Sequence, residues 1–264
     1  MVPIALVYDA DYTLMDGYHP SVVLEQRGMD VDAFWNKVIA TQQLEKKKGD
    51  KTSKDIIYLA HFMHEIRYGQ LKGLRIKDLA QAGKALQQHF YPGIPDFFVR
   101  VTNAHPYARV SHNIVSVGIK TILEHSPLGE HADTIFGYSF FDDLTDNETI
   151  DEIKGTSSSQ EKIPAIVAIS YGKGQKNGEY EFPIKNMIYF GDGQTDKPAF
   201  RFVAKRGGLA ICVYDPRRPG AFEKAQQLKE DVHYIVPADY QYGQAIWHIV
   251  HNFISTRYDE LKKR

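Results

Sequence analysis

The chain has 264 residues, 43% of them hydrophobic and 25% charged, enough for one large or two modest domains with a sizeable core. A formal net charge of −1 offers no basic face to nucleic acid or an anionic membrane, and no apolar run approaches bilayer-spanning length. Cys212 is the only cysteine, which excludes an intramolecular disulfide.

In chain order, the first element is Val2 to Tyr8, nearly all apolar, the pattern of a strand buried on both faces of a parallel sheet. It delivers Asp9 and Asp11 at its carboxyl end, where open α/β sheets place their ligands. Two carboxylates so close repel one another unless a cation or a proton joins them. From Tyr18 to Phe90 the chain carries helix patterns and no strand. One helix begins at Ser21 and stops near Gly28, a second runs Asp32 to Leu44, a third follows Ser53 as its cap, and a fourth spans Lys77 to Phe90. Tyr91-Pro92-Gly93-Ile94-Pro95 then punctuates the return.

Beyond it, strands and helices alternate as a doubly wound sheet requires. Strands are expected at Asn113–Ser116, Ile135–Phe141, Asn186–Phe190, Leu209–Tyr214 and Val232–Val236, with a closing amphipathic helix from Tyr242 to Lys262. Asn186–Phe190 ends in Gly191-Asp192-Gly193-Gln194-Thr195-Asp196. Its glycines permit a tight turn, and its acids are hard oxygen ligands of the kind Mg²⁺ accepts. Lys197-Pro198 opens the next helix. Gly- and Lys-rich residues from Tyr171 to Tyr180 read as an exposed loop.

Taken together, these motifs resemble the haloacid dehalogenase superfamily, in its phosphoserine-phosphatase-like branch with a helical (C1-type) cap. Asp9, Asp11 and Thr13 match its first motif and Ser116, followed by Val117-Gly118, its second. Lys162 matches the third, and Gly191, Asp192 and Asp196 the fourth. The resemblance implies an α/β fold: a doubly wound, Rossmann-like parallel core from residues 1–16 and 95–264, with residues 17–94 inserted as an all-helical cap. It implies a Mg²⁺-dependent phosphomonoester hydrolase acting on a small phosphorylated metabolite. Asp9 would be the nucleophile and Asp11 the general acid and base; Ser116 and Lys162 would bind phosphate. Asp9, Asp11 (through its carbonyl), Asp192 and Asp196 would serve the metal. Lys154 is the rival to Lys162. The second acid, Asp11, favours a phosphate ester over an alkyl halide, because an alkoxide needs a proton and a halide does not. A phosphomutase and a non-catalytic phosphate-binding scaffold are the alternatives. The single residue Val117 between Ser116 and Gly118 departs from the double glycine of phosphoserine phosphatases.

Other features take plainer readings. His61 and His64 lack a third ligand and read as cap packing or surface. Lys46-Lys47-Lys48 reads as a solvated helix end, and Phe34 and Trp35 as packing between helices. Ser157, Ser158 and Ser159 are candidate caps for the helix of Lys162, Ser158 pairing with Glu161 in a capping box. Asn147-Glu148-Thr149 is a glycosylation sequon that a chain without a basic leader is not expected to use; the expected home is a reducing cytoplasm. Neither nucleic acid nor membrane is an expected partner, and the sequence gives no oligomeric state.

Overall fold

The computed structural model describes residues 1–142, 149–155, 162–172 and 180–263. The candidate caps Ser157 to Ser159 with Glu161, the first two sequon residues, and the centre of the Gly- and Lys-rich stretch lie outside the described residues. Among the described residues, seven strands form one sheet: β1 (Val2–Tyr8), β2 (Ala108–Ile119), β3 (Thr134–Asp142), β4 (Ile150–Gly155), β5 (Met187–Gly191), β6 (Leu209–Tyr214) and β7 (Tyr234–Pro237). Their order is β4-β3-β2-β1-β5-β6-β7. All pairs are parallel except β3–β4. β1 is central, flanked by β2 and β5, so its apolar run is covered on both faces. Ile4, Leu6 and Tyr8 enter one buried cluster, and Ala5 and Val7 the other.

Two strands differ from expectation. β4 is an antiparallel edge, and its polar sequence Ile150-Asp151-Glu152-Ile153-Lys154-Gly155 suits an edge that is paired on one side only. β2 runs for 12 residues rather than the four expected at Asn113–Ser116. Its polar start is satisfied partly at long range and partly within the strand: His112 Nδ1 meets the Tyr8 hydroxyl at 3.0 Å, and Asn113 Nδ2 donates to Ser111, two residues back, at 3.0 Å. The β2–β3 register slips between Val115 and Ile119, an irregularity that falls on Ser116-Val117-Gly118.

Between β1 and β2 the chain forms α1 (Ser21–Gln26), α2 (Val31–Lys47), α3 (Lys54–Tyr68), α4 (Ile76–Ala85), a 3-10 turn at Leu86–His89, and α5 (Asp96–Ala104). The expected fourth helix thus ends early, tightening into that turn. Asp30 caps α2 by accepting from the Ala33 amide at 2.9 Å. Ser53 holds the cap position of α3 without a side-chain bond. α3 rests on β3 through the ring pairs Tyr58–Tyr138 and Phe62–Phe140, both 6.2 Å apart. The remaining helices are α6 (Lys120–Glu124), α7 (Lys162–Tyr171), α8 (Lys197–Ala204), α9 (Ala221–Gln226) and α10 (Ala245–Lys262). Among the described residues no helix is long and apolar enough to cross a membrane.

Candidate active site

The carboxyl ends of β1 and β5 lie side by side, because Tyr8 pairs with Phe190 and the Asp9 amide donates to the Phe190 carbonyl at 2.9 Å. This register alone brings Asp9 and Asp192 together across a gap of 183 residues. Asp9, Asp192 and Asp196 each offer a carboxylate oxygen, all within 4.8 Å of one another.

Asp196 is wholly buried, and four donors hold it. One oxygen accepts from Lys162 Nζ and the Tyr189 hydroxyl, each at 2.6 Å, and the other accepts from the amides of Asp192 and Gly193, each at 3.2 Å. It therefore fixes the turn that presents Asp192. Gly191 makes room for this knot, since a Cβ there would lie 2.4 Å from the Asp196 carboxyl carbon.

Lys162 opens α7. Its ammonium donates to Asp9 at 2.7 Å as well as to Asp196, and the side chain is 1% exposed. Burial alone would push this amine down, but the charges of Asp196 and Asp9 outweigh it and hold the ammonium charged. Lys154, by contrast, is exposed and lies over the Phe141 ring at 5.6 Å, so Lys162 is the lysine of the site.

Three carboxylates thus share one ammonium. Burial pushes the Asp9 carboxyl up to about 7, with Lys162 opposing and Asp196 and Asp11 adding repulsion. Asp192 is likewise raised, by burial first and then by Asp196 and Asp9. Surplus negative charge on hard oxygens in one small volume fits a divalent cation.

Asp11 is held apart from this cluster. Its Oδ1 accepts from the His19 amide at 2.8 Å and meets His19 Nδ1 at 2.6 Å. His19 Nε2 faces the Ile119 carbonyl at 3.2 Å and must carry a hydrogen there. The short Nδ1–Oδ1 contact, with the amide bond beside it, ties the Asp11 carboxyl to His19. His19 was not legible in the sequence: nothing about a buried His eight residues after an Asp marks it. Gly118 gave an indirect signal, since a Cβ there would stand 1.9 Å from the imidazole ring. The glycine after Ser116-Val117 thus makes space for His19.

Ser116 is buried, and its Oγ accepts from the Gly118 amide at 2.9 Å, which leaves its own hydrogen to donate. Thr13 Oγ1 donates to the second oxygen of Asp9 at 3.4 Å. Tyr12, between these acids and Thr13, has φ 57°, a left-handed conformation that costs an aromatic residue about 1–3 kcal/mol. Its ring is flanked by Tyr18 at 4.9 Å, edge-on, and by the Arg218 guanidinium at 4.1 Å.

Asp9, Asp11, Lys162 and Asp192 line one cavity of ≈ 240 Å³; Ser116 and Asp196 stand behind its wall. The far side comes from the helical segment: Trp35, Lys54, Asp55 and Tyr58. The sequence reading left Trp35 as packing, and it does pack, 4.2 Å from the Tyr18 ring. It also faces the cavity.

No family model matches the chain. An uncharacterized protein of Borreliella burgdorferi is 25% identical over 224 residues, covering 76% of this chain and 78% of that one. Among solved structures, a haloacid-dehalogenase-family hydrolase from Salmonella enterica serovar Typhi superposes with TM-score 0.58 at 18% identity, over 89% of this chain and 67% of that one. A substrate-bound phosphoserine phosphatase gives TM-score 0.59 at 17% identity, over 89% and 93%. A probable phosphoserine phosphatase from Vibrio cholerae gives 0.60 at 15%, over 99% and 67%. The chain is thus similar in fold to haloacid-dehalogenase-type hydrolases, the phosphoserine phosphatases among them.

Proposed function

We propose that the chain is a Mg²⁺-dependent phosphomonoesterase of the haloacid dehalogenase superfamily, with residues 1–16 and 95–264 as catalytic core and 17–94 as cap. The observation that carries this reading is the division of labour between two acids. Asp9 sits buried beside the Lys162 ammonium at 2.7 Å, while Asp11, two residues on, is held off from that ammonium by the amide and ring of His19. A nucleophile needs the first environment and a proton donor the second.

An Asp9 carboxylate oxygen attacks phosphorus in line, and the bond from phosphorus to the ester oxygen breaks. Asp11 gives its proton to the departing alkoxide, so a neutral alcohol leaves and Asp9 carries the phosphoryl group. A water then attacks the same phosphorus, Asp11 takes its proton, and inorganic phosphate departs with Asp9 restored. Through both steps Lys162 meets the phosphoryl oxygens with its charge, and the Ser116 hydroxyl, buried behind the cavity wall, would have to reach through to them to add a hydrogen bond. The Asp9 and Asp192 carboxylates with the Asp11 carbonyl would hold Mg²⁺, Asp196 bracing them, and the ion would neutralise phosphate charge that otherwise repels Asp9. The substrate is a small phosphorylated metabolite. The lone buried Cys212 suits a reducing cytoplasm as the place of action.

The test is phosphate release over time from generic phosphomonoesters with Mg²⁺. Asp9→Asn should abolish turnover. Asp11→Asn should lose activity steeply with alkyl esters and least with phenolic ones, whose leaving groups need little protonation. Near-normal turnover by Asp9→Asn would sink the covalent route, and substrate isomerisation without phosphate release would favour a mutase.

A further inference from the structure

The cavity wall opposite the acids carries two polar groups that the chemistry above does not use. Lys54 and Tyr58 stand four residues apart on α3, on one helix face, and both line the ≈ 240 Å³ cavity. Tyr58 is 4% exposed, and among the described residues its hydroxyl has no hydrogen-bond partner. An unpaired buried hydroxyl costs about 1–3 kcal/mol, and one that lines a cavity is free to take its partner from a bound molecule. Among the described residues Lys54 makes no ion pair. Its Nζ donates to the neutral Tyr18 hydroxyl at 2.6 Å and lies 4.5 Å from the Tyr18 ring centroid and 5.6 Å from that of Trp35. Both groups can donate a hydrogen bond into the same space.

The remaining wall restricts what they could meet. Tyr18, Trp35 and Lys54 line this cavity and also a neighbouring one of ≈ 420 Å³, so the Lys54–Tyr18 bond and the Tyr18–Trp35 contact form a partition between the two. The compartment beside Asp9 is small, below the roughly 300–1,000 Å³ usual for ligand pockets. Pro20 and Val117 add apolar surface to it. Asp55, the one acid that α3 contributes, accepts from the Tyr138 hydroxyl at 3.2 Å.

We infer that Lys54 and Tyr58 form a leaving-group subsite for a carboxylate, so that the substrate is a short-chain phosphate ester bearing an acid group. One ammonium and one hydroxyl match the two oxygens of a carboxylate. The burial of Tyr58 and the half-burial of Lys54 strengthen such a pairing relative to open water. This inference rests on the phosphatase reading, which supplies the phosphoryl end of the same substrate.

Phosphoglycolate, ethyl phosphate and phosphoethanolamine share a two-carbon frame and differ in the end group. With Mg²⁺, kcat/KM for phosphoglycolate should exceed that for the other two. The phosphoglycolate-to-ethyl-phosphate ratio should fall by about 10–100-fold in Lys54→Gln and by severalfold in Tyr58→Phe, the range for charged and neutral hydrogen bonds. Tyr58→Phe should also keep or raise the melting temperature without ligand, because it deletes an unpaired hydroxyl. A preference for phosphoethanolamine, equal use of all three esters, or a Lys54→Gln that lowers every ester by one factor would overturn the subsite. A binding measurement separates this from failure of the phosphatase reading. In Asp9→Asn, phosphoglycolate should raise the melting temperature more than ethyl phosphate does, and Lys54→Gln in that background should erase the difference. If no ester is hydrolysed by the wild type yet this difference appears, the phosphatase reading fails and the subsite stands; if the difference is missing, the subsite falls.

Discussion

The proton affinity of Asp9 makes the site measurable without any substrate. Its carboxyl stands at about 7 rather than 3.8, because burial disfavours the charged form. Between those values the folded chain keeps a proton that the unfolded chain has released. Stability therefore falls as pH rises through this window, and the loss is complete above about 7. At about 1.4 kcal/mol per decade, the full cost is about 4 kcal/mol. Asp9→Asn keeps the shape and removes the titration. In EDTA, its stability relative to wild type should climb by up to about 4 kcal/mol between about pH 4 and about pH 8. Comparing variant with wild type cancels groups remote from Asp9, chiefly His112. Burial pushes that imidazole down to about 3, so the stability it contributes is present above the ordinary histidine value and lost as pH falls. The assay is urea unfolding followed by tryptophan fluorescence across pH, with EDTA and then with Mg²⁺. Because a bound cation favours the ionised carboxylate, Mg²⁺ should shrink the advantage of the variant at high pH. A difference that stays flat across pH in EDTA, or that widens with Mg²⁺, would refute the charge accounting of the site.

Two further outcomes probe its supports. Lys162→Met leaves Asp9 and Asp196 without their shared ammonium and should destabilise the fold by about 3–5 kcal/mol, whereas Lys154→Met at the exposed edge should stay within about 0.5 kcal/mol; paired urea titrations decide. Gly118→Ala drives a methyl group into the His19 ring, and should cost about 1–3 kcal/mol while slowing alkyl esters more than phenolic ones, as the proton donor Asp11 is displaced.

Much of this was legible in the residues. The apolar run into Asp9 and the second run into Gly191-Asp192 signalled two strands whose ends carry acids, and both strands lie where the runs place them. Helical periodicity gave α1 to α4 because their buried positions recur at helical spacing. What stayed hidden depends on contacts between distant segments. The polar start of β2 looks unlike a strand until Tyr8, 104 residues away, satisfies His112. β4 carries too few apolar residues to be read at all. Lys54 and Tyr58 carry no signal of their own in the sequence, and the docking of α3 against β3 sets them in the cavity that the acids line.

The central position of β1 has a consequence for synthesis on the ribosome. It emerges before every other strand, yet both of its neighbours come later: β2 begins at Ala108 and β5 at Met187. At about 5–20 residues per second, the wait for β2 lasts on the order of ten seconds, and that for β5 roughly twice as long. Throughout that interval a seven-residue strand, almost wholly apolar, has no sheet to join. The segment made next, α1 to α4, is the first material able to shelter it. Leu14, Met15 and Val22 already belong to the same buried cluster as Leu6 and Tyr8. The helical segment that lines the far side of the cavity in the finished protein would thus serve earlier as the nascent chain's own holdase.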